Sequence, residues 1–199
     1  MVHDASWPPT PDFLPLSYGE REKVFGHIEC VPAPTKGNPE GVRITNDFAK
    51  HLVKAYIPQL ALIKGISYKG KIEGRGPKDG MVLLHEKAVQ PMVDLWQAWE
   101  DESLLDLVLT DGGMTVARYV RGSTSILSNH SYGTAFDINA PWNGLKRVPA
   151  LVGARGSVRE LVQTANDFGW WWGGHGWPPG YDRLDGMHFE LAEIKEEQL

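Results

Sequence analysis

Two short segments near the C-terminal end of the sequence contain the residue types that metal binding and hydrolysis require. The candidates are His130 and Asp137 in the first segment, SNHSYGTAFD, and Asp185, His188 and Glu190 in the second, DGMHFE. Zinc held by two imidazoles and one carboxylate keeps a fourth coordination position open for water, as a catalytic zinc site needs. The cysteines of a closed structural zinc site are absent from both segments. The residue types therefore indicate one catalytic zinc site.

The local sequence predicts how these side chains are presented. Gly133 and the β-favouring residues that follow it argue against one continuous helix through His130 and Asp137. We expect a loop that carries His130 and then a strand that delivers Asp137. Side chains alternate along a strand, so Asp137 faces away from its apolar neighbours, and His188 and Glu190 share one face of the second strand. Each strand thus offers one ligand to a common polar face.

Amide hydrolysis at such a site also needs a base and a cation. Asp185 is the natural base, because a turn can hold it near the metal without making it a ligand. Glu190 is its rival, or else a hydrogen-bond partner of His188. Attack on an amide builds negative charge on oxygen, and Arg118 and Arg121 precede the first segment. On a strand these two arginines face opposite sides, so at most one should point into the site.

The composition limits the class of protein. With 199 residues, 42% apolar and 23% charged, the chain fits one globular domain spanning 1–199. A net charge of -5 and a pI near 5.8 argue against binding to nucleic acid or to an anionic membrane surface. No apolar stretch approaches the ~20 residues of a membrane span. Cys30 is the single cysteine and is expected to be a free, partly buried thiol.

The order of predicted elements indicates an α+β fold. We expect an extended Pro-rich arm over 1–40, a helical N-terminal part over 41–110, and a core over 111–199 that carries the metal site on a central antiparallel sheet, with helices on one side. The predicted helices are 45–63, 83–99 and 157–168, the last opened by a capping box at Ser157 and Glu160. The predicted strands are 104–109 and 114–120, joined as a hairpin at 111–113, followed by 170–172 and 187–191. Residues 65–80 read as a hairpin or loop.

Three motifs in combination carry a family resemblance. They are Ser-x-His-x-x-Gly-x-Ala-x-Asp at 128–137, Trp-x-Gly-Gly-x-x-Trp at 171–177, and Asp-x-Met-His-Phe-Glu at 185–190. Together they resemble the zinc peptidase family of D-alanyl-D-alanine carboxypeptidases and L-alanyl-D-glutamate endopeptidases, which includes VanY-type enzymes and phage endolysins. The resemblance covers about residues 112–191. It implies a small α+β domain with a central antiparallel sheet, in agreement with the order of elements.

The resemblance also implies roles for individual residues. His130, Asp137 and His188 would be the ligands of one Zn²⁺ per chain, Asp185 the general base, and Arg118 the cation that stabilises substrate and transition state. Further candidates for contact with substrate or for support of the ligands are Arg121, Ser128, Trp171, His175 and Glu190.

The expected activity is zinc-dependent hydrolysis of a peptide bond in the stem peptide of peptidoglycan, by a monomer. The sequence leaves open whether the bond is the terminal D-Ala-D-Ala or the internal L-Ala-D-Glu linkage. A cytoplasmic D-Ala-D-Ala dipeptidase and a non-catalytic zinc-binding module remain alternatives. The first nine residues have neither a basic start nor an apolar run, so we expect synthesis in the cytoplasm and release to the cell wall by a separate route.

Overall fold

The computed structural model describes residues 6–195, which combine helices with small antiparallel sheets. The α-helices are α1 (Tyr18–Phe25), α2 (Val89–Asp101), α3 (Asn129–Tyr132), α4 (Ala140–Asn143) and α5 (Val162–Asp167). The strands are β1 (Cys30–Pro32), β2 (Val42–Ile44), β3 (Leu52–Tyr56), β4 (Ile66–Tyr68), β5 (Lys71–Glu73), β6 (Met81–His85), β7 (Asp111–Gly113), β8 (Ala135–Ile138), β9 (Trp170–Trp172) and β10 (His188–Leu191). Within this described range, no helix is both long and apolar enough to cross a bilayer.

One four-stranded sheet, in the order β7-β8-β10-β9, organises the C-terminal half. Strand β10 pairs antiparallel with β8 so that His188 lies opposite Asp137 and Phe189 opposite Phe136. Directly paired residues project to the same face of a sheet. The polar pair therefore occupies one face and the aromatic pair the other, which is the alternation expected for these two strands.

Aromatic packing closes the apolar face of this sheet. The rings of Phe136 and Phe189 stack with centroids 5.2 Å apart, and Trp99 of α2 meets both rings edge-on at 6.0 Å. These side chains are fully buried. Burial of each large apolar side chain stabilises the fold by about 1.5–3 kcal/mol. Because α2 covers this face, the polar face is left for chemistry.

The predicted helix at 45–63 is wrong. Asn46 caps a short 3-10 helix, Asp47–His51, and the chain then enters β3. Strand β3 pairs along its whole length with β6, beginning with Leu52 opposite His85. Short apolar runs fit either a helix face or a half-buried strand, and here the long-range pairing decided between them. With β3 to β6 all inside 41–110, this part of the chain is not predominantly helical. The predicted hairpin or loop at 65–80 contains the hairpin of β4 and β5 at 66–73.

The predicted helix at 83–99 starts later than expected. Residues 81–85 form β6, a 3-10 turn follows at Glu86–Ala88, and α2 begins at Val89. Pro91 therefore falls in the first turn of α2. The first four backbone N–H groups of a helix have no intrahelical acceptor, so proline is tolerated there.

The predicted hairpin between 104–109 and 114–120 is also wrong. Residues 105–107 form a 3-10 turn, and the supposed turn at 111–113 is itself strand β7, paired with β8. Gly112 makes this pairing possible, because a Cβ added there would lie 2.8 Å from the Cβ of Asp137. The segment 114–120 is irregular and contributes only isolated bridges, at Arg118 and Tyr119.

The N-terminal arm is not extended throughout. Ser17 and Glu20 form a complete capping box that opens α1 within it. Near the other end, the predicted helix 157–168 is shorter than expected, with a 3-10 turn Arg159–Leu161 before α5. The hydroxyl of Ser157 bonds to the carboxylate of Glu160 instead of forming the reciprocal backbone bonds of a capping box.

Candidate metal centre

Three donor atoms converge on the polar face of the four-stranded sheet. The Nε2 atom of His130 lies 3.2 Å from Nδ1 of His188 and 3.3 Å from Oδ1 of Asp137. Nδ1 of His188 lies 3.0 Å from the same carboxylate oxygen. Two imidazole nitrogens and one carboxylate oxygen form the donor set of catalytic zinc sites. The structure thus brings together all three predicted ligands.

Local geometry explains the placement of His130. It lies on α3, a four-residue helix, where a loop was expected. Gly133 ends α3 in the left-handed conformation, with φ of 69°, and β8 begins two residues later. A Cβ at Gly133 would lie 2.7 Å from the backbone nitrogen of His85, so only glycine fits this turn. The turn sets His130 beside Asp137.

Each imidazole has an acceptor for its second nitrogen. Nδ1 of His130 lies 2.5 Å from the carbonyl oxygen of Met114, and Nε2 of His188 lies 2.9 Å from Oε2 of Glu190. Such partners fix the orientation and tautomer of metal-binding histidines. Glu190 therefore lies on the side of the ring away from the converging donors. This placement favours the role of hydrogen-bond partner over that of base.

The electrostatics of the cluster suit a cation. Burial alone would raise the pKa of Asp137. The charge and hydrogen bonds of His130 and His188 have a larger, opposite effect and hold that pKa well below its ordinary value. Burial would lower the pKa of His188, but hydrogen bonds to Asp137 and Glu190 raise it to about 10. The carboxylates thus make the site strongly attractive to positive charge. The donor set, its convergence and its outer partners all fit zinc.

Glu190 belongs to a buried network that sequence reasoning missed in part. Its carboxylate accepts hydrogen bonds from the amide of Asn129 and, at 3.1 Å, from Nε1 of Trp177. Arg21 of α1, only 7% exposed, donates from Nη1 to Oδ1 of Asn129 at 2.7 Å. The capping box signals the helix that carries Arg21. Nothing in the sequence signals that this arginine reaches a residue 108 positions further along the chain.

Asp185 lies in the cavity that borders the ligand cluster. The polar lining of this first cavity includes Arg21, Arg118, Arg121, Asp185, His188 and Glu190. A turn joins Asp185 to His188, with the histidine N–H donating to the aspartate carbonyl at 3.1 Å. Among the residues that the structure describes, none bonds to the buried Oδ1 atom of Asp185. Burial raises the pKa of Asp185 to about 6, against the opposing effect of His188. The site therefore holds a carboxyl group that is available to exchange a proton.

Both arginines line the first cavity, although at most one was expected to do so. The expectation assumed a continuous strand, whereas Arg118 forms only an isolated bridge with Gly41 and the chain turns at Gly122, with φ of 81°. Burial lowers the pKa of Arg118, while Asp137 and Asp185 oppose that shift. A guanidinium group remains charged at neutral pH even so.

The remaining candidates divide into two groups. Ser128 lines the first cavity, and so does Trp177 of the second motif. Trp171 is fully buried and donates from Nε1 to the carbonyl of Gly176 at 3.1 Å. The ring of His175 packs edge-on against Trp171 at 5.4 Å and is itself buried. Neither Trp171 nor His175 contributes to the lining of the cavities beside the donor cluster, so their placement supports a packing role.

Fold and site together define a class of protein: a mixed α and β domain with the donor set of a mononuclear zinc hydrolase. Residues 121–191 match the family model described as D-alanyl-D-alanine carboxypeptidase. The match includes the three candidate ligands and Asp185, and it begins after Arg118. It confirms the resemblance drawn from the three motifs and supports a peptidase. No curated protein and no solved structure gave a significant match.

Proposed function

We propose that the protein is a zinc-dependent peptidase that hydrolyses a bond in the stem peptide of peptidoglycan. The observation that carries the proposal is the convergence of His130, Asp137 and His188 beside a cavity that also holds an unpartnered carboxyl group. The family match over 121–191 supports peptide hydrolysis as the reaction. The experiments below test the identity of the metal and of the substrate.

The ligand residues and their neighbours have separate tasks. Bound zinc would act as a Lewis acid on the scissile carbonyl and lower the pKa of a water molecule from 15.7 toward about 7. Asp185, with its free Oδ1 atom, accepts the proton of the attacking water. Arg118 lies in the same cavity and stabilises the negative charge that develops on the carbonyl oxygen. The protonated Asp185 then donates its proton to the departing amine.

A non-catalytic zinc-binding module is the main competitor. Such a module needs the three ligands and the partners of their imidazoles, but it has no use for a carboxyl group and a guanidinium group in the cavity beside them. Asp185 and Arg118 both line that cavity. Their placement therefore favours an enzyme.

The test is digestion of purified peptidoglycan by the zinc-loaded protein, with products identified by mass spectrometry and zinc measured on the same samples. Asp185→Asn should retain zinc and lose about 10²-fold or more in turnover. His188→Ala should lose the metal itself. Asp182→Asn is the matched control, because Asp182 is an exposed carboxylate on the same loop. Equal activity in all four proteins would refute the assignment of the site.

The same digestion addresses the dipeptidase alternative. A dipeptidase would hydrolyse free D-Ala-D-Ala and leave intact muropeptides unchanged. The proposed peptidase would release fragments from the muropeptides.

A further inference from the structure

One lobe of the N-terminal part of the chain carries a charge opposite to that of the rest. The lobe comprises residues 52–85, from the start of β3 to the end of β6, with β4 and β5 between them. It contains six lysines and arginines and two carboxylates, a net charge of +4. From totals of 20 basic and 25 acidic residues, the rest of the chain keeps 14 and 23, a net charge of -9. A protein that is acidic overall therefore presents one basic surface.

The basic side chains of the lobe are available to an external partner. All six are exposed, and within residues 6–195 none of them forms a salt bridge. They are Lys54, Lys64, Lys69, Lys71, Arg75 and Lys78. By contrast, the exposed Lys50 just before the lobe pairs with Asp47. The charge of the lobe is therefore not neutralised by the acidic part of the chain.

The lobe also exposes aromatic and apolar side chains. Six of the fourteen large hydrophobic side chains that are exposed within residues 6–195 belong to it, among them Tyr56 at 60% and Tyr68 at 50%. On the sheet of β3 and β6, Tyr56 lies opposite Met81, and both are exposed. Two positions along the same face, Lys54 lies opposite Leu83, and both are again exposed. An exposed face of this composition is typical of an interaction surface.

The lobe is attached beside the candidate metal centre. The N–H of Asp111 donates to the carbonyl of Gly74 at 2.8 Å, and Asp111 belongs to β7 of the sheet that carries the ligands. The N–H of His85 donates at 3.0 Å to the carbonyl of Gly133, which ends α3. The lobe contributes no residue to the lining of the two cavities beside the donor cluster, and it lies outside the family match. A polymer bound there would be held next to the site without occupying it.

We propose that residues 52–85 form a docking surface for polymeric peptidoglycan, separate from the cavity that takes the scissile bond. This inference rests on the proposed function, because the partner is the polymer that carries the proposed substrate. The free carboxylates of stem peptides bind the unpaired lysines, and the sugar rings of the glycan strand pack on the exposed tyrosines. A lysine binds an anion as a point charge without the fixed geometry of a guanidinium, which suits carboxylates on flexible peptides.

The charge of the whole chain selects this partner over other polyanions. Nucleic acid carries one negative charge for about every 1.7 Å of duplex, and the acidic remainder of the protein would be repelled by so dense a charge. An anionic membrane surface would repel it for the same reason. Peptidoglycan carries separated carboxylates, which a local basic surface can bind.

Co-sedimentation with purified peptidoglycan sacculi tests the docking surface. The parent protein carries Asp185→Asn, so that the polymer is not digested during the measurement. Addition of Lys54→Gln with Lys71→Gln should weaken binding by about 10-fold or more, and amidation of the sacculus carboxylates should weaken the binding of the parent to a similar extent. Lys23→Gln with Lys36→Gln is the control, because both lysines are exposed and lie outside the lobe.

Two results of this measurement would overturn the docking surface. One is equal binding of sacculi by the two double variants. The other is tighter binding of the parent to duplex DNA or to phosphatidylglycerol vesicles than to sacculi.

Activity on two substrates separates docking from catalysis. In the zinc-loaded protein with Asp185 intact, Lys54→Gln with Lys71→Gln should lower kcat/KM on insoluble sacculi by about 10-fold and change kcat/KM on soluble muropeptides by less than a factor of about 3. Zinc content should stay unchanged. Equal losses on both substrates would overturn the docking role and leave the proposed function standing. Lysine-dependent binding of sacculi, with no hydrolysis of either substrate by the wild type, would refute the proposed function alone.

Discussion

Within residues 6–195, which the structure describes, two pairs of histidines lie in ring contact, and they differ in the groups that their nitrogens contact. The rings of His130 and His188 have centroids 5.0 Å apart and planes inclined at 63°. The rings of His51 and His85 have centroids 5.6 Å apart and are stacked at 10°. In the inclined pair one nitrogen of each ring points at the other and at Asp137. In the stacked pair no such convergence occurs.

The nitrogens of the stacked pair bond to backbone and carboxylate groups of the surrounding structure. Nε2 of His85 donates to the carbonyl of Phe25 at 2.9 Å, and its Nδ1 accepts from the N–H of Lys87 at 3.1 Å. Nδ1 of His51 lies 2.7 Å from the carboxylate of Glu86. Both nitrogens of His85 and Nδ1 of His51 bond to other groups, and among the residues that the structure describes the nitrogens of this pair do not converge on one point with a third donor. Proximity of two imidazole rings is therefore insufficient for a metal site, and the convergence of their nitrogens decides.

The largest effect should come from removal of a ligand. His130→Ala takes away one of three converging donors, and we expect zinc binding at micromolar metal to be lost together with peptidase activity. The matched change in the other pair is His51→Ala, which should leave zinc content and activity unchanged. Zinc analysis after dialysis, with circular dichroism as a check on folding, measures both. Loss of zinc from the His51 variant would mean that the stacked pair has been misread.

The next largest effect concerns the carboxylates that support each pair. Glu190→Gln removes the charged acceptor from Nε2 of His188, and removal of such a partner weakens metal affinity by about 10–100-fold. Glu86→Gln makes the same change next to His51 and should leave zinc affinity as it is. Competition against a chelating dye gives both dissociation constants. Equal affinities in the two variants would show that Glu190 does not support the metal site.

The contrast also explains what the sequence could predict. His130, Asp137 and His188 lie in short motifs whose residue types match the donors of a metal site. The local sequence was therefore sufficient to predict these three residues as ligands. Strands β8 and β10 were predicted from the local alternation of their side chains, and β9 from its run of three tryptophans. Strand β3 was misread because its partner β6 lies about thirty residues away and only that pairing selects a strand over a helix.

The burial of Arg21 could not be predicted from the sequence for a similar reason. Its burial depends on the packing of α1 against the segment at Leu127 and Asn129, where it donates to the Leu127 carbonyl at 3.1 Å and to Asn129. The sequence around Arg21 does not indicate such a long-range contact. Because charged residues are rarely buried without a partner, an arginine in a helix is expected to be exposed.

Arg21→Ala should have a moderate effect on both stability and the metal site. The change leaves Oδ1 of Asn129 without its buried charged donor, so we expect a loss of about 1–3 kcal/mol in the free energy of unfolding. Zinc affinity should fall by less than in Glu190→Gln, because Arg21 acts on His188 only through Asn129 and Glu190. Lys23→Ala on the same helix is the control. Urea unfolding and chelator competition measure the two quantities, and a variant identical to the control in both would exclude Arg21 from the network.

The smallest effect should be a pH dependence of stability from the stacked pair. Burial lowers the pKa of His85 from the ordinary 6.5, partly opposed by its hydrogen bond to Phe25. The folded state thus binds this proton less readily than the unfolded state does, so the stabilisation from neutral His85 is present above pH 6.5 and is lost as pH falls through the folded pKa. His85→Asn keeps an acceptor for the Lys87 N–H but cannot titrate. The free energy of unfolding of the wild type should exceed that of the variant by about 1 kcal/mol at pH 8, which is the net contribution of one hydrogen bond. The difference should be smaller at pH 5. A gap that stays constant in urea unfolding at the two pH values would mean that His85 does not couple protonation to folding.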